Sequence, residues 1–180
     1  MKLYCALIYP FLTYGILIWG DTYATTLKPI FILQKKTVRI ITFSTLDSHS
    51  SPLFKSVGII KFFDIALFQI AIVMYKFHHN VLPAPFYSFF FTKVTSVHYH
   101  NTRLAAKHSY YLPYARTNYG KFSIGFQAPS VWNTIDDNVK LSSSIPVFTK
   151  GLKDQYFERY LTIIPWARVG YEMVNSQPGP

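Results

Sequence analysis

The chain of 180 residues holds a single cysteine, Cys5. That excludes an internal disulfide framework and any thiolate zinc knuckle. Acidic residues are scarce, 8 Asp and Glu against 18 Lys and Arg, for a net charge of +10. None lies between Asp64 and Asp136, a stretch that carries Lys76, Lys93, Arg103, Lys107, Arg116 and Lys121. An excess of this sign favours a polyanion, either nucleic acid or an acidic membrane surface. No P-loop, GxGxxG fingerprint or Ser/His/Asp spacing is present. His78-His79 and His98-x-His100 have no carboxylate nearby in sequence, so surface or helix-end histidines explain them better than metal ligands. Cys5, inside an apolar run, reads as a small buried residue.

Apolar residues, by contrast, are plentiful. Half of the chain is hydrophobic and 18% is aromatic, enough for a sizeable core in one domain or one and a half. From Leu3 to Trp19 no residue is charged. The run is a short transmembrane candidate by hydropathy, and otherwise a helix buried nearly all round with a kink at Pro10. It lacks the basic lead and cleavage site of a signal peptide. Thr26–Thr42 is amphipathic, with Leu27, Ile30, Phe31, Val38 and Ile41 on its inner side and Lys28, Lys35, Lys36 and Arg39 on the other. After a polar loop, a short helix near Pro52 and a long one over 61–79 follow, the latter apolar on almost every side and therefore central. Phe86, Phe89 and Phe90 suggest a brief aromatic helix in the core. In Arg116–Asn133, Asn118-Tyr119-Gly120 offers a turn. Phe122, Ile124 and Phe126 alternate with polar residues, the period of a strand paired with Tyr110–Ala115. Pro129 then opens a helix with Val131, Trp132 and Ile135 inward. Ser144 and Pro146 start a last helix, with Phe148, Leu152, Tyr156 and Tyr160 along one side. The expected fold is mainly α, with a small antiparallel β-hairpin near 110–127. The tail 161–180 ends in Gln-Pro-Gly-Pro and reads as disordered.

Several blocks share a resemblance. They are Leu-Tyr-x-x-Leu-Ile-Tyr-Pro-x-Leu-Thr-Tyr-Gly-Ile-x-x-Trp-Gly at 3–20, Leu-Gln-Lys-Lys-x-x-Arg-Ile-Ile at 33–41, and Leu-Pro-x-x-Phe at 82–86. Tyr-x-Asn-Thr-Arg at 99–103, Arg-Thr-Asn-x-Gly-Lys-x-Ser at 116–123 and Ala-Pro-x-x-Trp-Asn at 128–133 complete the set. In this order they resemble the C-terminal, thumb and post-thumb, region of non-LTR (LINE-type, jockey-like) retrotransposon reverse transcriptases. The match is discontinuous over about 3–160, and Gln127-Ala128-Pro129 stands where that family usually shows Arg-Gly-Pro. The resemblance implies thumb-like helices over 1–45, with 3–19 packed on protein, and a post-thumb helical linker region over 50–160. Fingers and palm would lie upstream of Met1, with the magnesium-binding aspartates of the parent RNA-directed DNA polymerase on residues not present here. The one acidic pair, Asp136-Asp137, lacks the aromatic-Ala lead and preceding hydrophobic strand of such a site and reads as a solvated loop.

The basic stripe Lys28, Lys35, Lys36 and Arg39 is either a solvated helix face or, as the resemblance implies for a thumb, a face that neutralises phosphates without reading bases. Arg103, Lys107, Arg116 and Lys121 lie among Tyr99, Tyr110, Tyr111, Tyr114 and Tyr119. That mixture suits single-stranded nucleic acid, although the tyrosines also share strands with core positions. The expected function is that of a non-catalytic fragment binding RNA, DNA or an RNA–DNA hybrid, alongside the missing palm and without a cofactor or small-molecule substrate of its own. It would be intracellular, and nuclear if it works as in the parent. The alternative is a small membrane-anchored protein spanning the bilayer with 3–19.

Overall fold

The computed structural model describes residues 2–20, 22–87, 91–97 and 108–161. The whole Tyr99–Arg103 block, Lys107, His98 and His100, Phe89 and Phe90, and the tail beyond 161 lie outside the described residues. The described chain is mainly α-helical, as its periodicities predict. The described residues form two compact units, those up to 69 together with those from 153 on, and those of 70–152.

In the first unit the apolar opening is not one helix. A π-helical stretch, Tyr4–Ile8, runs into α1, Tyr9–Thr13. Pro10 has no N–H for the carbonyl of Ala6, and the wider π turn sits just before it. The helix then stops: Tyr14 is extended and Gly15 has φ +62°, a left-handed conformation that costs a residue with a Cβ about 1 kcal/mol. The Trp19 indole N–H closes the corner on the Tyr14 carbonyl at 2.7 Å, and α2 follows over Ile16–Trp19. Gly20 is buried where a Cβ would run into Ile16 and lie 3.0 Å from the Ala66 Cβ. The expected single helix over 3–19, buried nearly all round and packed on protein, is therefore corrected, and with it the proposed membrane span: the segment is broken, and within it only Tyr4 and Ile16 are buried. Cys5, expected inside, is exposed.

Helix α3, Ala24–Ile41, buries Leu27, Phe31, Gln34 and Val38, a stripe at i, i+4, i+7 and i+11. Ile30 and Ile41, expected on that stripe, are only half-buried at its margin. Phe31 packs against Phe54 of α4, Ser50–Val57, and against Phe63 of α5, Phe62–His78. Burying Phe54 completely is worth on the order of 2–3 kcal/mol. The polar exception is Gln34, 2% exposed. Its Nε2 donates to the Tyr4 hydroxyl at 2.9 Å and the Ile60 carbonyl at 3.0 Å. Its Oε1 accepts the Phe62 backbone N–H at 2.7 Å, satisfying one of the donors left over at the start of α5. In the same unit Tyr160 donates to the Asp64 carboxylate at 2.6 Å and accepts the Lys61 backbone N–H at 2.9 Å.

The second unit gathers around Trp132 and Phe148, which stack at 6.2 Å, with Tyr75 stacked on Phe148 at 4.4 Å. The hairpin expected near 110–127 is absent. Among the described residues there is no strand, and the only β pairing is an isolated antiparallel bridge between Lys93 and Tyr110. Asn118–Lys121 is a helical turn, α7 in an order where α6 is Val94–Val97, and Ile124–Asn133 is α8. The reason is local: the Thr117 hydroxyl caps α7 through the Gly120 N–H, and Ser123 breaks the alternation by standing extended at the start of α8. Gln127, assigned to a polar strand face, is buried and donates to the Lys121 carbonyl at 2.8 Å. Trp132 and Ile135 point inward as predicted. The segment 108–110, which turns at His108 (φ +50°) and carries the bridge at Tyr110, is held by two neighbouring side chains. The Trp132 indole N–H reaches the His108 carbonyl, and the Asn133 amide both accepts from and donates to the Tyr110 backbone at 3.0 and 2.9 Å. Phe86, expected in the core, is 44% exposed on the 3-10 turn Ala84–Tyr87.

After α9, Asp137–Lys140, comes α10, Ile145–Leu161. Phe148, Leu152, Tyr156 and Tyr160 are all buried, the one-sided row that their spacing predicts.

Candidate nucleic-acid interface

On α3 the cations stand beside the buried stripe. At 3.6 residues per turn, Lys28, Lys35 and Arg39 fall within about 40° of one another over about 16 Å of axis, roughly half a turn of duplex. Lys28 and Lys36 are exposed. Lys35 is half-buried with its ammonium 4.6 Å from the Phe31 ring centroid, the geometry of a cation–π contact. Burial, followed by the charges of Arg39 and Lys28, holds its pKa below the usual lysine value. Arg39 is half-buried, and its Nε and Nη2 both donate to the Ser48 carbonyl, at 3.3 and 3.0 Å. Arg39 thus pins the loop between α3 and α4 as well as contributing charge.

A fifth cation joins this group from outside the helix. Lys61 sits just before α5, its ammonium 4.0 Å from the Tyr160 ring centroid. Burial lowers its pKa first, Asp64 opposes that, and Lys35 lowers it further. Helical spacing gave no reason to associate Lys61 with α3, because the two meet only through tertiary packing.

The second predicted patch is only partly within the described residues. Arg116 is exposed just before the Thr117 cap, and Lys121 is half-buried at the end of α7. Of the tyrosines considered as core, Tyr110 is buried, whereas Tyr114 and Tyr119 are each 88% exposed. The structure therefore places Arg116 and Lys121 in the same short stretch as two open aromatic rings.

The acidic pair does not form a two-metal centre. Asp136 is exposed, and Asp137 is bonded at 3.0 Å to the buried ammonium of Lys140. Among the described residues no three His, Cys, Asp or Glu side chains converge as a metal cage. No known protein family, curated protein or solved structure matches this chain.

Proposed function

We propose that this chain is a non-catalytic part of a retrotransposon reverse transcriptase, and that it grips the phosphate backbone of RNA, DNA or an RNA–DNA hybrid through α3. The observation that carries the reading is the alignment of Lys28, Lys35 and Arg39 along one side of α3, with the exposed Lys36 beside them. Cations gathered on one face favour a polyanion, whose binding also releases condensed counterions. Such contacts position a duplex without reading its bases. Leu3, Leu7, Phe11, Tyr14 and Ile18 are 60–89% exposed, a greasy row that a neighbouring protein surface such as a palm would cover. Magnesium chemistry and nuclear localisation would belong to that larger protein.

The membrane alternative has no such support. Among the described residues no single helix is long and apolar enough to cross a bilayer. α4 and α5 would qualify only as a pair bent by 44°, and Phe54, Phe62, Ile65 and Met74 on them are already buried in protein.

The test is fluorescence anisotropy with a short RNA–DNA hybrid across a salt series, comparing the native chain with Lys28→Glu/Lys36→Glu. Both lysines are exposed, so circular dichroism should be unchanged. The double variant should bind about tenfold or more weakly, and its log K against log salt slope should be shallower by about 2. Equal affinity and slope for the two proteins would refute the assignment of α3.

A further inference from the structure

The second unit contains a cavity that the α3 reading does not use. It has a volume of about 320 Å³, within the range that accepts a small organic ligand. Its wall is aromatic. Phe77 meets Phe91 edge-on at 4.9 Å and Tyr110 edge-on at 5.8 Å, and Tyr87 lies 5.3 Å from Phe77. His78 and Lys93 complete one side, with the His78 Nδ1 bonded to the Tyr110 hydroxyl at 3.0 Å. A smaller hollow of about 40 Å³ shares those two residues and is otherwise lined by Thr95, His108 and Ser109, room for about three water-sized groups.

The two hollows differ in chemistry. The larger sets aromatic rings beside the polar side chains of Asn80, Thr92, Lys93 and Ser96, and the smaller offers an ammonium, imidazoles and hydroxyls. Among the described residues no carboxylate lines either. Lys93 is exposed and has no carboxylate partner among the described residues. The His78 imidazole is pushed down to about 4, first by burial and then by the positive charges of His79, Lys93, His108 and Lys140. It is neutral at pH 7, so among the described residues that line both hollows Lys93 is the cation. A molecule with a flat ring and an anion a few ångströms from it matches these features.

We infer that this double cavity is a nucleotide site, with the base against the Phe77, Tyr87 and Phe91 rings and the phosphate at Lys93. Base-on-ring stacking is tolerant of sequence, and Asn80, Thr92 and Ser96 on the same wall offer hydrogen-bonding groups to a base edge or a ribose. The nucleotide is either free or the end of a single strand. The site is in a different unit from α3 and stands whether or not α3 binds a duplex.

Isothermal titration of the full chain with adenosine 5′-monophosphate, adenosine and ribose 5-phosphate tests it. The monophosphate should bind with a Kd below about 1 mM, and loss of either base or phosphate should weaken binding about fivefold or more. Lys93→Gln should weaken the monophosphate about fivefold and leave adenosine unchanged, while Ser96→Trp, which fills the rim of the cavity, should abolish both. Lys28→Glu/Lys36→Glu should bind the monophosphate like the native chain. A ten-nucleotide 5′-phosphorylated strand that displaces the monophosphate, with Lys93→Gln weakening both, assigns the site to strand ends; failure to displace assigns it to free nucleotide. No saturation by about 5 mM monophosphate, or the same affinity in Lys93→Gln as in the native chain, overturns the inference.

Discussion

Gln34 shows how a single side chain joins elements that sequence periodicity treats separately. Its amide uses both ends: two hydrogens go to Tyr4 and Ile60, and the oxygen takes the Phe62 N–H. Since Ile60 and Phe62 are buried, no water replaces the amide if it is lost. Gln34→Leu, nearly isosteric, should destabilise the protein by about 2–4 kcal/mol in urea unfolding, because it orphans a buried N–H and a buried carbonyl. Gln34→Glu should be comparably costly, as it keeps an acceptor for Phe62 but turns an anion toward the Ile60 carbonyl. A loss below about 0.5 kcal/mol for the Leu variant would show that the network contributes little. Its residue type gives no sign of this role, because a polar side chain reads as exposed. Its spacing does: seven residues after Leu27 and four before Val38, Gln34 falls inside the buried stripe. What satisfies its amide there is the arrival of the α4–α5 link and of Tyr4, both tertiary events. Lys61 was missed for the same reason, and Asn133, whose amide pairs with the Tyr110 backbone as a neighbouring strand would, is a third instance.

At the scale of elements, long periodic segments were legible and short ones were not. The i+4 row of α10, the amphipathic α3 and the apolar-all-round α5 follow from spacing, because a helix of 17 or 18 residues samples its burial pattern several times. The stretch 121–127 samples a period of two only about three times, and local capping by Thr117 and the stop at Ser123 outweigh it. The opening segment failed differently. Its apolar run is continuous, so hydropathy carries no information on where it bends, and the bend depends on the backbone of one residue. Gly15→Ala separates the two architectures by sign. In an unbroken helix the substitution would stabilise by about 0.5–1 kcal/mol, since Ala is the better helix former. At φ +62° it should instead destabilise by about 1 kcal/mol, the added Cβ making no more than ordinary contact with the Trp19 indole at 3.4 Å. Thermal or urea midpoints of the native chain and this variant decide between them.

For the molecule as a whole, two surfaces respond to salt in opposite directions. The net charge of +10 repels copies of the chain from one another, and the α3 cations concentrate part of it. The row Leu3, Leu7, Phe11, Tyr14 and Ile18 attracts copies through apolar burial, which salt does not screen. At about 50 mM salt the charge acts over more than 10 Å and should keep the protein monomeric; at about 500 mM it is screened to a few ångströms and the row should draw chains together. Sedimentation velocity should therefore show the average mass rising with salt over the same range in which hybrid binding falls. Leu7→Gln/Phe11→Gln/Ile18→Gln removes the middle of the row without touching a buried position. It should remain monomeric throughout, with its hybrid affinity and salt slope unaltered. If the triple variant associates as the native chain does, the row is not the adhesive surface. If association and hybrid binding weaken together as salt rises, the attraction between chains is electrostatic, and separate greasy and cationic faces do not describe this protein.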